Sequence, residues 1–431
     1  MGQSIRFLHT ADLHIGAPMR GFRALNDAWA ARLQRAVLEA YDRVIDTAIA
    51  SEVDFVVIAG DAFDTSRPSY GDYLHFFEGL ERLDAAGIPS YLIGGNHDPF
   101  TSWYRDIERL PPSAHLLGGE AAEFALFERD GAPMCLIGAR GYRNQAWPID
   151  EPVAQGITRS AAVQALEPRY RRAAEAPFCI GIIHTGLDLD QSKAYSDPEL
   201  LLAADVDFWA CGHLHRRYVL PSEGNPRIVF PGCVQARDLK EPGERGCYLV
   251  TMERPDGGPV GNSIEFVPTA SVVFHKLEVD VSACQTLADI SRLVMAQLFH
   301  YNAKANCDEM VVRVILEGET NLHAFLAKSD VIFDLRKRLN NAYPTFFCDT
   351  LVDRTRSPRD RLALKREGLF TRHVLRVAEQ QRVHSIEMVN YIQSEFVKRG
   401  IDVPASLPKR VGPLNDLAEA LVLDLLEEDD A

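Results

Sequence analysis

The stretch VDFVVIAGDAFD, residues 53–64, is an apolar run that stops abruptly at a glycine and two aspartates. Phe55 to Ala59 offer no alternating polar face, so the run predicts a strand buried on both sides. Four other stretches have the same form: IRFLHTAD (5–12), IPSYLIGGNHD (88–98), FCIGIIHTG (178–186) and VDFWACGHLH (206–215). Each ends in acid, amide or imidazole. Between them lie stretches with helical spacing of apolar residues, WAARLQRAVLEAYDRVIDTAIAS (29–51) and YGDYLHFFEGLERLDAAG (70–87), the second closed by Gly87 as a C-terminal cap. Buried strands alternating with helices predict an α/β layered domain. Polar residues just beyond the C-terminal ends of such strands are where these folds bind ligands.

Those strand ends carry a consistent chemistry. Asp12 and His14 are two residues apart, which in extended chain places both on one face. His213 and His215 repeat the spacing, Asp61 sits in GDAFD, Asn96 and His97 in GNHD, and His184 closes IGIIHTG. Oxygen and imidazole ligands without thiolate suit manganese, iron or zinc rather than calcium. One carboxylate between two ligand clusters is what a two-metal phosphate site requires. Taken singly, a DxH pair, a strand-end histidine or an Asx-rich loop is commonplace. Five of them in order, each after an apolar run, are not.

The order DxH, GDxxD, GNHD, H and GHxH resembles the calcineurin-like metallophosphoesterase superfamily over about the first 250 residues. TADLHIG, GDAFDTSRPSY and GGNHD bring it closer to SbcD-like DNA-repair nucleases, and QARDLKEPGERGCYLV (235–250) to their YhaO-type branch. The resemblance implies a first metal held by Asp12, His14, Asp61 and His215, and a second held by Asp61, Asn96, His184 and His213. It implies that His97 meets the scissile phosphate and that Asp98 orients His97. The family's metal is manganese, and its reaction is in-line attack of metal-bound hydroxide on a phosphodiester. At Asp64 archaeal and eukaryotic relatives usually carry histidine, so properties tied to that histidine do not transfer. The fold class implied is α/β, two packed sheets flanked by helices, with a smaller α/β capping domain and C-terminal helices.

The boundaries expected are 1–268 for the catalytic domain, 269–353 for the cap and 354–431 for the helices. TMERPDGGPVGNSIEFVPTA (251–270) predicts a hairpin leading to the first boundary, followed by strands at 275–282, 309–318 and 346–355 with helices between. LNDLAEALVLDLLEEDDA (414–431) predicts an amphipathic helix whose apolar stripe includes Leu414, Leu417, Leu421 and Leu425. It serves either as packing against its own domain or as the segment with which family members bind a coiled-coil, SMC-like ATPase. Residues 353–373 carry Arg354, Arg356, Arg359, Arg361, Lys365, Arg366 and Arg372. A solvated helix face is the simpler reading and a phosphate path the other. Arg20, Arg67 and Arg237 flank the motifs, where phosphate contacts and structural roles are equally open. Trp29, Trp103 and Trp209 are expected in the core, and the histidines outside the motifs are assigned no function.

The 431 residues balance 46 Lys and Arg against 61 Asp and Glu, a net charge of −15, so the whole surface does not advertise nucleic-acid binding. A local basic path would suffice. No apolar run approaches a membrane span and the N-terminus does not read as a secretory signal. Eight scattered cysteines without a CxxC pair fit buried, reduced thiols in a cytoplasmic protein. The function expected is a metal-dependent DNA nuclease in DNA-end processing, working on DNA with an SMC-like ATPase, as a homodimer if it follows its family. Two alternatives stand beside it: a phosphodiesterase or phosphatase on a small or protein substrate, and a non-catalytic scaffold. The ~160 residues beyond the catalytic domain count against the first, and the intact ligand set against the second.

Overall fold

The computed structural model describes residues 2–18, 27–65, 67–103, 110–148, 151–170, 172–305, 309–358, 364, 368–399, 401–403 and 406–429. Two six-stranded sheets carry the core. The first contains β1 (Gln3–Thr10), β2 (Phe55–Ile58), β3 (Ser90–Ile93), β4 (Ala114–Leu117), β11 (Gly246–Arg254) and β12 (Gly261–Pro268), in the order β12-β11-β1-β2-β3-β4. β1 to β4 are mutually parallel, and the hairpin expected near residue 251 adds β11 antiparallel to β1. The second sheet contains β5 (Glu123–Arg129), β6 (Ala132–Arg140), β7 (Phe178–His184), β8 (Phe208–Gly212), β9 (Tyr218–Ser222) and β10 (Asn225–Phe230), in the order β5-β6-β7-β8-β10-β9.

Alternation along β1 and β2 distributes side chains between two cores. Ile5, Phe7, Phe55 and Val57 face the second sheet, where they meet Ile137, Phe178, Ile180 and Phe208. Phe7 stacks on Phe55 at 4.9 Å and meets Phe208 edge-on at 5.6 Å, a geometry that adds to burial alone. Leu8, Val56 and Ile58 face the other way, onto α1 (Asp27–Ala50) and α2 (Tyr70–Ala85) through Val37, Tyr41, Val44, Phe76 and Leu80. Ser69 and Asp72 form a reciprocal capping box at the start of α2, and Gly87 follows its end with φ +72°. On the far side of the second sheet, Leu136, Cys179, Ile183 and Trp209 pack with Ala162 and Leu166 of α3 (Arg159–Leu166). The result is two packed sheets with helices outside them, as the motif order implied. Trp29, Trp103 and Trp209 are all buried.

A third sheet has the order β13 (Val272–Asp280), β14 (Glu309–Glu319), β15 (Phe346–Arg356). Contacts divide the chain into two compact units. One holds residues 1–277, 297–313 and 340–350; the other holds 278–296, 314–339 and 351–431. In the second unit, helices span Leu369–Val383, Ser385–Lys398 and Leu407–Asp429. The last begins seven residues earlier than the sequence pattern suggested and carries Pro413 inside it. The basic segment is not one helix face: Arg354 and Arg356 lie on β15 and Arg372 on a helix, while Arg359, Arg361, Lys365 and Arg366 lie outside the described residues. The side chain of Leu425 also lies outside them. Seven cysteines are buried and free of disulfides, and Cys307 lies outside the described residues. Among the described residues no helix is long and apolar enough to cross a membrane.

Candidate metal centre

β1, β2, β3, β7 and β8 end at one place: His184 is the last residue of β7, and the other motif residues sit on the turns that leave their strands. The extended geometry expected of Asp12 and His14 is not what brings them together. Asp12, His14, Asp61 and His213 have φ of 51°, 48°, 50° and 102°, in the left-handed region. Such residues each cost roughly 1–3 kcal/mol and persist where surroundings over-determine them. Here the amides of Asp12 and His14 donate to the carbonyls of Gly60 and Asp61 at 3.1 and 3.0 Å, tying the two loops rung by rung. The carboxylate of Asp98 accepts from the amides of Gly95, Asp61, Ala62 and Phe63 at 2.8–3.3 Å, fastening the GNHD loop to the GDAFD loop. Gly95 is required there, because a Cβ would lie 2.0 Å from Asp61 Oδ1.

The side chains converge in two sets. In the first, His14 Nε2 is 3.0 Å from His215 Nε2, 4.0 Å from Asp12 Oδ1 and 3.9 Å from Asp61 Oδ2. In the second, His184 Nε2 is 3.4 Å from Asp61 Oδ2 and 3.2 Å from Asn96 Oδ1, which is also 3.2 Å from His213 Nδ1. Atoms bound at about 2.1 Å to one ion lie roughly 3–4 Å apart, so both sets fit a divalent cation. Asp61 Oδ2 belongs to both. It is buried and accepts no hydrogen bond of good geometry from the described residues, which leaves a lone pair for a cation. The acid and histidine groupings Asp12–His14–His215 and Asp12–Asp61–His184 each keep their ligand atoms within 4.8 Å of one another.

Outer partners set the histidine tautomers. His184 Nδ1 donates to the carbonyl of Ala59 at 2.9 Å, which leaves Nε2 as the ligand atom. His215 Nδ1 donates to Glu241 at 2.6 Å, and His14 Nδ1 lies 3.2 Å from Asp64 Oδ1, so these two also offer Nε2. His213 is reversed: its Nε2 faces Asp190 at 3.2 Å and Nδ1 faces the site. Arg237 pairs with Asp64, and its amide donates to Glu241 at 2.8 Å, joining the two carboxylates that hold His14 and His215. Glu241 and Asp190 were not among the residues singled out in the sequence. Their only signals are an acid in RDLKEPGE and one in HTGLDLD, neither with a diagnostic spacing.

The direct Asp98–His97 pairing implied by the resemblance is not made among the described residues, because four backbone amides occupy Asp98. His97 Nδ1 donates instead to the carbonyl of Asp64 at 2.8 Å, and its amide donates to Asp61 Oδ1 at 2.8 Å. Its side chain is 40% exposed, against 1% or less for His14 and His184. Arg20 lies outside the described residues.

Burial and neighbouring charge pull the titrating groups of the site in opposite directions. Burial pushes the His14 imidazole down to about 4 and lowers His213 as well. Burial also opposes charge on His184, but Asp61 overrides it and raises that imidazole to about 9. Reciprocally, burial opposes charge on Asp61, yet His184 and His14 hold it well below the usual carboxylate range. Burial likewise opposes ionisation of Glu241, yet the His215 hydrogen bond and charge bring it down to about 2. Burial and the charge of Asp61 push the Asp98 carboxyl up, against the amides that donate to it.

Comparison with known proteins gives the same reading. The calcineurin-like phosphoesterase family matches residues 5–217, and the middle domain of metallophosphoesterase YhaO matches 274–356. An uncharacterized metallophosphoesterase, YhaO of Bacillus subtilis, is 31% identical over 317 residues, covering 73% of this chain and 72% of that protein. The DNA double-strand break repair protein Mre11 of Methanosarcina mazei is 33% identical over 287 residues, 65% of this chain and 41% of Mre11. SbcD, a component of the B. subtilis nuclease SbcCD, is 28% identical over 239 residues, 49% of this chain and 57% of SbcD. The chain thus spans most of YhaO but about half of these nucleases. With two ligand sets sharing Asp61 and the YhaO middle domain behind them, the chain belongs to the calcineurin-like metallophosphoesterases, as a homologue of YhaO and of the SbcD/Mre11-type nucleases.

Proposed function

We propose that this protein is a manganese-dependent DNA nuclease that processes DNA ends and double-strand breaks in the cytoplasm, together with an SMC-like ATPase. The observation that carries the reading is Asp61, whose Oδ2, without a hydrogen-bond partner among the described residues, lies against both ligand sets while the more exposed His97 stands beside them. Two divalent ions held by Asp12, His14, Asp61 and His215 and by Asp61, Asn96, His184 and His213 would neutralise a phosphodiester and acidify water. The chain's own part is to hold these ligands in fixed tautomers and to present His97. Because Nδ1 of His97 is committed to the Asp64 carbonyl, Nε2 is the atom that holds or gives a proton at the substrate. Asp98 supports that chemistry through the loop that carries Asn96 and His97.

In this reading residues 1–268 are catalytic, 269–353 cap the site, and 354–431 bind the ATPase. Kinship with Mre11 and SbcD favours DNA over a small or protein phosphoester. The test is Mn-dependent cleavage of end-labelled duplex and single-stranded DNA, with bis-p-nitrophenyl phosphate alongside and His97→Ala as control. Cleavage of DNA by the wild type alone is the expected result. Hydrolysis of the small ester with no DNA cleavage, even with a cognate ATPase added, would refute the nuclease assignment.

A further inference from the structure

Beside the metal-ligand loops lies an open cleft of about 610 Å³, bounded by Arg67, Pro99, Thr101, Ser102, Asn144 and Gln145. Its position follows from the motifs. Pro99 is the residue after GNHD, and Arg67 is three residues beyond Asp64, whose carbonyl holds His97. The two loops that frame it are joined before any ligand arrives. Phe100 and Thr101 donate their amides to the carbonyls of Tyr142 and Arg143 at 2.8 and 3.2 Å, and Thr101 Oγ1 donates to Arg143 at 2.8 Å.

The charge pattern is selective. Arg237, also next to a motif, is paired with Asp64, and Arg143 with Glu120 at 3.2 Å. Arg67 is exposed and has no acidic partner among the described residues, on a protein whose net charge is −15. Asn144 Oδ1 lies 3.3 Å from the hydroxyl of Thr101, whose one proton goes to the nearer Arg143 carbonyl, and the Asn144 side-chain amide adds N–H donors to the wall. An arginine fork and side-chain amides on a polar wall suit a phosphodiester oxygen and the sugar or base edge attached to it. They do not suit an apolar ligand.

Building on the nuclease reading, we propose that this cleft binds the phosphodiester adjacent to the one being cut, with Arg67 as its phosphate contact. The cleft therefore makes a polynucleotide a better ligand than an isolated phosphoester. In a His97→Ala background that leaves the strand uncut, the full chain with Mn²⁺ is titrated with a fluorescent single-stranded oligonucleotide at 50–200 mM KCl. Loss of one phosphate contact lowers the slope of log K against log salt by about 0.7. Adding Arg67→Ala is expected to produce that change and to weaken binding several-fold at the lowest salt. Arg67→Lys, a point charge in place of the fork, is expected to restore the slope and only part of the affinity. An Arg67→Ala slope equal to the parent's would overturn the subsite and leave the nuclease reading standing. Failure of the Arg67 parent to bind the oligonucleotide at any salt would overturn both.

Discussion

Glu241 accepts a hydrogen bond from His215 Nδ1 at 2.6 Å, and that contact decides which nitrogen of His215 faces the first ligand set. Glu241 is in turn held by the amide of Arg237 at 2.8 Å. Removing such an outer partner typically costs 10- to 100-fold in metal affinity. Glu241→Ala is therefore expected to weaken one of two divalent-metal binding steps by about that factor and leave the other in place. Glu241→Gln, which retains an acceptor oxygen, should recover part of the loss. Calorimetric titration of the metal-free protein separates the steps; equal weakening of both would mean that Glu241 acts on the whole fold.

Asp61 and His97 are neighbours with separable roles. Asp61→Ala removes a carboxylate oxygen that lies against both sets, so metal content should fall from two ions towards none. His97→Ala removes a side chain outside both sets and should keep both ions. A general acid or base contributes about 10²- to 10⁴-fold, so turnover of bis-p-nitrophenyl phosphate should drop by that order. Metal analysis beside the rate assay distinguishes the two, and near wild-type activity in Asp61→Ala would show the site to be wrongly assigned.

Much of this candidate site was legible because each proposed ligand ends or follows a strand whose apolar run is unmistakable. Phe55–Ile58 and Phe178–Ile183 could not be anything but buried, and buried parallel strands leave their polar residues at one edge. What spacing misjudged was the path of the chain. Asp12 and His14 reach the site through left-handed turns rather than along a pleat, since backbone ties to Gly60 and Asp61 bend them there. What spacing could not reveal is the outer layer. Glu241 lies 26 residues from the histidine it orients and Asp190 lies 23 residues from His213. A single acid in a loop carries no sequence mark until folding gives it a partner.

His9 supplies a pH dependence away from the ligands. It lies at 0% exposure on β1, with its ring edge-on to Phe208 at 6.2 Å, and burial pushes its imidazole down to about 3. In the unfolded chain it titrates near 6.5, so between about 3 and 6.5 the unfolded state binds the extra proton. Stability from this residue is fully present above pH 6.5 and is lost as pH falls through that window. The loss approaches about 1.4 kcal/mol per pH unit once well below 6.5. Urea unfolding of metal-free protein from pH 7 to 4.5 should show the slope, and His9→Phe should flatten it. An unchanged slope would place the acid sensitivity elsewhere.

The helix Leu407–Asp429 presents two faces of different character. Arg382 pairs with Asp416 and Glu419, both at 2.7 Å, which fixes the helix to Leu369–Val383. Leu414, Leu417 and Leu421, spaced by three and four residues, remain 50%, 58% and 58% exposed. An apolar stripe at that spacing suits a helix laid into a groove or against a coiled coil. Core packing claims Leu407, Val411 and Leu423 instead. If the proposed SMC-like ATPase docks there, Leu417→Asp with Leu421→Asp is expected to abolish the association, read by co-purification or size exclusion. The same protein should hydrolyse bis-p-nitrophenyl phosphate at the wild-type rate, because no metal ligand is touched. Arg382→Ala tests the opposite face, where Arg382 and Asp416 are partly exposed and Glu419 is buried, and should cost at least about 1 kcal/mol of stability. If the leucine pair bound the ATPase as wild type does, the stripe would not be the docking surface, and the partner would have to engage the chain elsewhere.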